Sequence, residues 1–147
     1  MAYGKNQELF LANKKQLKLM KLFLDDEREP KDVLKYYNNA IYWEDDWVII
    51  KNYKEFVDYI SNKKIPQIIS FDHDLAQEHY KHSSAETIPY SEFKIETGYH
   101  CLLWLILYCN SKKLKLPDVL IHTMNIKGYD NLKNLVEAYK LISHEKK

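Results

Sequence analysis

Two short runs constrain this chain more than anything else in it: Leu22-Phe23-Leu24-Asp25-Asp26-Glu27-Arg28 and Ile68-Ile69-Ser70-Phe71-Asp72-His73-Asp74. Each is an apolar stretch that breaks at once into carboxylates. A strand buried on both faces reads as a nearly continuous apolar run, and in an open α/β sheet its carboxyl end delivers polar side chains to the edge where ligands bind. Two such runs predict a site assembled from distant parts of the sequence at one edge of a parallel sheet. Arg28, inside the first run, is the only arginine in the chain. A planar, two-pronged cation beside paired acids points to phosphate chemistry.

The rest of the chain alternates accordingly. Strands are predicted over 19–24, 47–50, 67–71 and 118–122 from their β-branched and aromatic content. Helices are predicted after Asp32, over 53–62, from Thr97-Gly98 to the lysines at 112–115, and from the loop at 123–128 onward, where apolar residues recur at helical spacing. Strands alternating with helices give an α/β fold, a parallel sheet of about four strands flanked by helices in three layers, with right-handed crossovers. The polar stretch 75–96 is long for a connection inside a compact domain and reads as a lid over the strand edge.

At 147 residues the chain has room for one core. A single α/β domain is expected over 19–147, preceded by an amphipathic helix or arm over 1–18. The formal net charge of +1 supplies no global field for holding a nucleic-acid polymer. Duplex DNA is therefore excluded as a partner, whereas a small nucleotide or an RNA end is not. No apolar stretch approaches about 18 residues and the first residues lack a signal-peptide core, so no membrane partner is expected and the expected location is the cytoplasm. Cys101 and Cys109 lie eight residues apart on one predicted helix, roughly 12 Å, too far for a disulfide. The excess of Lys, Asn, Ile and Tyr over arginine suits an AT-rich coding source, bacterial or phage. Oligomeric state is not legible.

Six side chains converge on the predicted edge: Asp25, Asp26, Asp72, His73, Asp74 and His122. Asp25, Asp26 and Asp72 offer hard oxygen ligands suited to Mg²⁺ or Mn²⁺, and clustering them without a cation would push some of their pKa values upward. His73 and His122 are candidates for proton transfer, with Asp74 orienting one of them. Arg28 and the amide of Asn125 are placed to hold phosphate oxygens, with Gly128 and the start of the last helix adding backbone donors. Bland readings stand beside these. Paired acids at a strand end also serve as turn or cap residues, His122 also suits a satisfied buried position, and Arg28 also suits an ion pair with Asp26 or Glu29. His79 and His82 have a metal-compatible spacing but no third ligand. Tyr36, Tyr37, Tyr42, Trp43 and Trp47 suit either base stacking or packing, and packing is the commoner use.

With LFLDDEREP at 22–30, ISFDHDL at 69–75, Thr97-Gly98-Tyr99 before a Leu/Trp-rich helix, and HTMN at 122–125 followed by Gly128 and Asn131, the chain resembles the cyclic-phosphate processing receiver-like domain family. That family is a divergent branch of the response-regulator receiver fold, and the matching motifs span 22 to about 139. The resemblance implies a receiver-like, flavodoxin-like sheet and metal-dependent hydrolysis of a cyclic phosphate, on a cyclic nucleotide or an RNA cyclic phosphate end. In ordinary receivers the paired acids bind Mg²⁺ and the third-strand aspartate accepts a phosphoryl group, positions that correspond here to Asp25, Asp26 and Asp72, and Thr97 joins the expected substrate-binding set. A non-catalytic protein that binds or sequesters a cyclic nucleotide, such as a viral counter-defence protein, is the alternative. Two departures from ordinary receivers are expected: His122 precedes the hydroxyl residue that ends the fourth strand, and no fifth strand bearing the receiver lysine follows. Within the family, His100 stands at a usually acidic position and Tyr129 at a commonly basic one.

Overall fold

The computed structural model describes residues 19–81 and 87–145. The expected helix or arm over 1–18 and the side chain of His82 lie outside those residues. Four strands, β1 (Lys21–Leu24), β2 (Trp47–Ile50), β3 (Ile68–Phe71) and β4 (Asp118–Ile121), form one parallel sheet in the order β2-β1-β3-β4. Between and after them lie α1 (Pro30–Val33), α2 (Tyr53–Asn62), α3 (Gln77–Tyr80), α4 (Gly98–Lys112) and α5 (Ile126–Glu145), with 3-10 turns at Ala40–Trp43 and Tyr90–Glu92. The expected αβα layering is what the chain adopts, and β4 is an edge strand among the described residues.

The order dictates which face each connection covers. The step from β1 to β2 runs one way across the sheet, while β2 to β3 and β3 to β4 run the other, so right-handed crossovers put α1 on one face and α2 and α4 on the other. Strand alternation sorts the side chains to match. Leu22, Leu24, Ile69 and Phe71 pack with Phe56 and Ile60 of α2, Leu102 and Leu105 of α4, and Leu132 of α5. The opposite face is smaller and aromatic: Phe23, Val33 and Tyr42 pack with Tyr37, Ile41, Trp47 and Leu120.

Local sequence explains the differences from expectation. The first helix starts at Pro30, before Asp32, because a proline at the first helical position loses nothing by its missing N–H. That helix ends at Val33, whose side chain is fully buried. The described parts of the 75–96 stretch, 75–81 and 87–96, carry α3 and the Tyr90–Glu92 turn and are joined to each other. His79 accepts from the Leu75 amide (2.8 Å) and donates to the Ile95 carbonyl (2.6 Å), so this buried histidine pins one part to the other. Cys101 and Cys109 are free and buried. No helix among the described residues is long and apolar enough to cross a membrane.

Candidate active site at the carboxyl edge of the sheet

The parallel register sets Leu24, Ile50, Phe71 and Ile121 in one row. One step on, the amides of Asp25, Asp72 and His122 each bond back into that row, to the carbonyls of Ile50, Leu24 and Phe71 at 2.9–3.0 Å. The ladder therefore fixes three backbones at one level, and alternation turns their side chains to the aromatic face. One ligand atom from each of Asp25, Asp72 and His122 lies within 4.8 Å of the others.

Asp25 is the best-anchored acid. One oxygen accepts from the amides of Glu27 (2.9 Å) and Arg28 (2.8 Å); the other accepts from Arg28 Nε (3.0 Å) and His122 Nε2 (3.1 Å). Burial opposes its charge, but the bonds from His122 and the two amides outweigh that and hold its pKa below the usual value. The guanidinium continues to Asp72, with Nη2 at 3.3 Å from Oδ1, and so bridges two buried carboxylates. One cation does not balance the cluster. Burial, and then the charge of Asp25, raise the pKa of Asp72 well above its ordinary value and push Asp26 up to about 6. The Asp26 Oδ1 atom is buried without a hydrogen-bond partner.

His122 is fully buried and stacked on Phe23 at 4.2 Å. Burial holds its pKa down, the pull of Asp25 notwithstanding, so the ring is neutral near pH 7. An ionised Asp25 can only accept, so Nε2 carries the proton and Nδ1 must accept from Ser70 Oγ (2.7 Å). The Ser70 oxygen in turn accepts from the Tyr42 hydroxyl (2.7 Å). The result is a directed chain, Tyr42 to Ser70 to His122 to Asp25, that crosses the aromatic face and ends on the site. Ser70, a serine inside an apolar strand and in phase with Asp72, was the available signal for it.

His73, though adjacent to Asp72, belongs to a second cluster. Its ring bonds to Asp74 Oδ1 through Nδ1 (2.7 Å) and to the Tyr90 hydroxyl through Nε2 (2.8 Å), and Asn131 donates to the same hydroxyl (2.8 Å). A Cβ at Gly128 would lie 2.5 Å from the His73 ring, so this glycine makes room for the imidazole. Its amide is given to Asn125 Oδ1 (2.9 Å), while Asn125 Nδ2 reaches Asp74 at 3.2 Å. Gly128 and Asn125 thus build the start of α5 around the His73–Asp74 pair, where phosphate contacts were expected. Thr97 is also spoken for. It caps α4 in a capping box with His100, whose Nδ1 accepts from the Thr97 amide (2.8 Å). Burial keeps His100 below its ordinary pKa and available as an acceptor, the service a carboxylate gives at that position. Gly98 allows α4 to abut the Asp72 carbonyl, which a Cβ would overlap.

A cleft of about 400 Å³ opens over this edge, walled by Arg28, Asp72, Asp74, Thr123 and Asn125, with Tyr36 and Tyr80 at its rim. Tyr80 and Thr123 were not among the expected site residues, whereas Tyr36 belongs to the aromatic group weighed for base stacking. A larger cleft of about 650 Å³ lies at the amino edge of the strands, bounded by Leu19, Pro66, Leu114 and Pro117 with Asp118 as its one carboxylate. The acids, the arginine and the carboxyl-edge rule all favour the smaller one. Of the aromatic group considered for base stacking, Tyr42 and Trp47 stack on each other in the core at 5.8 Å and Tyr37 donates to the Thr123 carbonyl (2.7 Å). Tyr36 remains exposed.

No curated protein and no solved structure matches the chain. A family model described as the cyclic-phosphate processing receiver domain matches residues 20–138, from just before β1 to within α5. That span contains every strand, both acidic runs and the whole carboxyl-edge cluster, and the chain therefore belongs to the cyclic-phosphate processing receiver domain family.

Proposed function

We propose that this protein is a metal-dependent phosphodiesterase-like hydrolase that opens a cyclic phosphate on a nucleotide or RNA end. The observation that carries the reading is the lone arginine, held between Asp25 and Asp72 on the wall of the carboxyl-edge cleft. A guanidinium fixed in this way meets a phosphate without first being ordered.

Asp25 and Asp72, which offer oxygens within 4.8 Å of one another, would hold Mg²⁺ or Mn²⁺, and Asp26, outside that close group, would join them through its unpartnered Oδ1. The donor set is hard oxygen, it carries more negative charge than Arg28 offsets, and Asp26 Oδ1 is buried without a partner. When bound, such an ion neutralises phosphate charge and lowers the pKa of a bound water. Around it the chain's own groups divide the work. Arg28 grips a non-bridging phosphate oxygen. Asp74 faces the cleft, oriented by His73 and Asn125, and takes a proton from the water that attacks phosphorus. The bond from phosphorus to one ring oxygen breaks, and that oxygen receives the proton, giving a phosphomonoester and a free hydroxyl. His122 is fully buried with both nitrogens engaged, and it acts as a positioning residue through Asp25. His73 likewise acts through Asp74.

The test is incubation with cyclic mono-, di- and oligonucleotides and RNA 2′,3′-cyclic ends, with Mg²⁺ or Mn²⁺ and with chelator, read by mass spectrometry. One member should gain one water in a metal-dependent way, and Asp72→Asn should abolish the gain. If no member is opened with either metal, the reading fails. A ligand bound in chelator and recovered intact would identify a sequestering protein instead.

A further inference from the structure

The cleft over Arg28 does not stop at its acidic floor. A second groove of about 480 Å³ adjoins it and shares the walls Tyr36, Thr123 and Met124. Beyond that common wall it is bounded by Ile126, Tyr129 and Asp130. Its character is different. Tyr36 is 54% exposed, Met124 58% and Ile126 80%, although the core packing of this chain places none of them in either cluster. These three large side chains stand in solvent beside the phosphate-gripping end of the cleft. The floor is held still by a bond that crosses it, from the Tyr37 hydroxyl to the Thr123 carbonyl (2.7 Å), which joins the turn after α1 to the loop before α5. A largely apolar groove with a braced floor, continuous with the cleft that holds Arg28, suits a nucleotide: the charged end would dock on the guanidinium and the planar end would lie on the aromatic strip.

We propose that the strip formed by Tyr36, Met124, Ile126 and Tyr129 is a nucleobase subsite. The ligand of the cleft is then a nucleoside cyclic phosphate, not a cyclic phosphate on a bare sugar. This rests on the phosphate reading of Arg28 and adds to it the residues that would hold the base of that substrate. The base lies against the Tyr36 ring and the Met124 thioether, which is soft enough to fit any base, so affinity comes from contact area and stacking. Asp130 is the only carboxylate bounding this groove. It can only accept, so bases that present N–H groups at that end are favoured over those that present carbonyls. One nucleoside is shared by a free cyclic mononucleotide and a 2′,3′-cyclic RNA end, and the groove serves either.

The experiment compares three ligands on the full chain with Mg²⁺ or Mn²⁺: a nucleoside 2′,3′-cyclic phosphate, a trinucleotide ending in one, and methyl riboside 2,3-cyclic phosphate, which has no base. Binding is read from the methyl resonance of Met124, assigned by Met124→Leu, and turnover from the released phosphomonoester. The two base-bearing ligands should bind about tenfold more tightly than the base-free one and shift the Met124 methyl by ring current. The base-free ligand should leave that methyl in place. In Tyr36→Ala the tenfold ratio should collapse toward one, and Tyr36→Phe should restore it. Equal affinities in the wild-type chain, or a ratio untouched by Tyr36→Ala, would overturn the subsite while ring opening of all three leaves the phosphate reading standing. Binding with the Met124 shift but no ring opening would do the reverse. Of the base-bearing pair, preference for the trinucleotide identifies an RNA end, and preference for the mononucleotide a free cyclic nucleotide.

Discussion

The two histidines nearest the acidic edge, His122 and His73, are both buried with both ring nitrogens engaged, yet they stand in regions of different construction. Around His122 the partners come from the sheet and the aromatic face: Asp25 follows β1, Ser70 lies in β3 and Tyr42 in the Ala40–Trp43 turn. Around His73 they come from later segments: Tyr90 from the long connection, Asn131 and Gly128 from α5. The first region is a rigid wire ending on the carboxylate that holds Arg28. The second is a joint that fastens the 87–97 segment and α5 to the end of β3. The difference teaches that adjacent titratable residues at a strand end need not share a task. The pleat sends Asp72 toward Arg28, and the chain beyond it turns His73 to the other side.

Substitutions can break this contrast or sharpen it. The largest effect is expected at the arginine. Arg28→Ala should lower ring opening by roughly 10²–10³-fold, because a preorganised cation at phosphate is lost, while Tyr90→Phe on the other side should lower it less than about tenfold. Comparable losses in the two variants, measured as kcat/KM, would erase the distinction. Next is Gly128→Ala, whose methyl would press on the His73 ring. A loss of about 2–3 kcal/mol in urea unfolding is expected, and His73→Ala in the same chain should relieve much of it.

Smaller effects separate wire from joint. Ser70→Ala strips the Tyr42 hydroxyl and His122 Nδ1 of their shared partner and should cost about 1–3 kcal/mol of global stability. Tyr90→Phe removes the hydroxyl shared by His73 and Asn131. Its signature should be local, with faster amide exchange over 87–97 and little change in the strands. Uniformly faster exchange in Tyr90→Phe would mean that both clusters belong to one cooperative unit.

The smallest expected effect is a pH dependence. Asp26 sits at about 6 in the folded chain against an ordinary 3.8, so the folded state holds this proton more tightly than the unfolded one. The stability it contributes is present below about pH 4 and is lost as pH rises through about 6. Asp72 is raised for the same causes, burial first, and acts with the same sign. Buried His122 and His79 and half-buried His100, all held below their ordinary pKa by desolvation, act with the opposite sign as pH falls below the ordinary value of 6.5. The difference in melting temperature between wild type and Asp26→Asn, taken in chelator, isolates the first contribution. It should favour the variant more at pH 7 than at pH 4, and a constant difference would refute the assignment.

Much of this was legible in the sequence. The four strands lie within one or two residues of where apolar runs placed them, because a strand buried on both faces leaves little choice of residue type. Parallel register then brings Asp25, Asp72 and His122 to one level, which needs only strand direction and phase. What the sequence hid was the aim of each side chain. Gly128 and Thr97 were expected at substrate, whereas the first makes room for His73 and the second caps α4, and Asn125, though on the cleft wall, also bonds across to Asp74 and caps the start of α5. The Thr97-x-x-His100 spacing is a capping box with an imidazole in the acceptor place, a signal that was present but masked by the usual preference for Glu or Gln there. Arg28 was expected either at phosphate or in an ion pair with Asp26 or Glu29. It pairs instead with Asp25 and, across strands, with Asp72, and only the fold supplies the second partner.

The account depends most on water opening a cyclic phosphate at phosphorus beside Arg28 and Asp72. Turnover of a nucleoside 2′,3′-cyclic phosphate in H₂¹⁸O with Mn²⁺, read by mass spectrometry, tests it most directly. The prediction is one ¹⁸O in the phosphate of the phosphomonoester, formed by the wild-type chain, at least about a hundredfold more slowly by Arg28→Ala, and not by Asp72→Asn. An unlabelled product, no ring opening, or the labelled product formed by Arg28→Ala at the wild-type rate would contradict it.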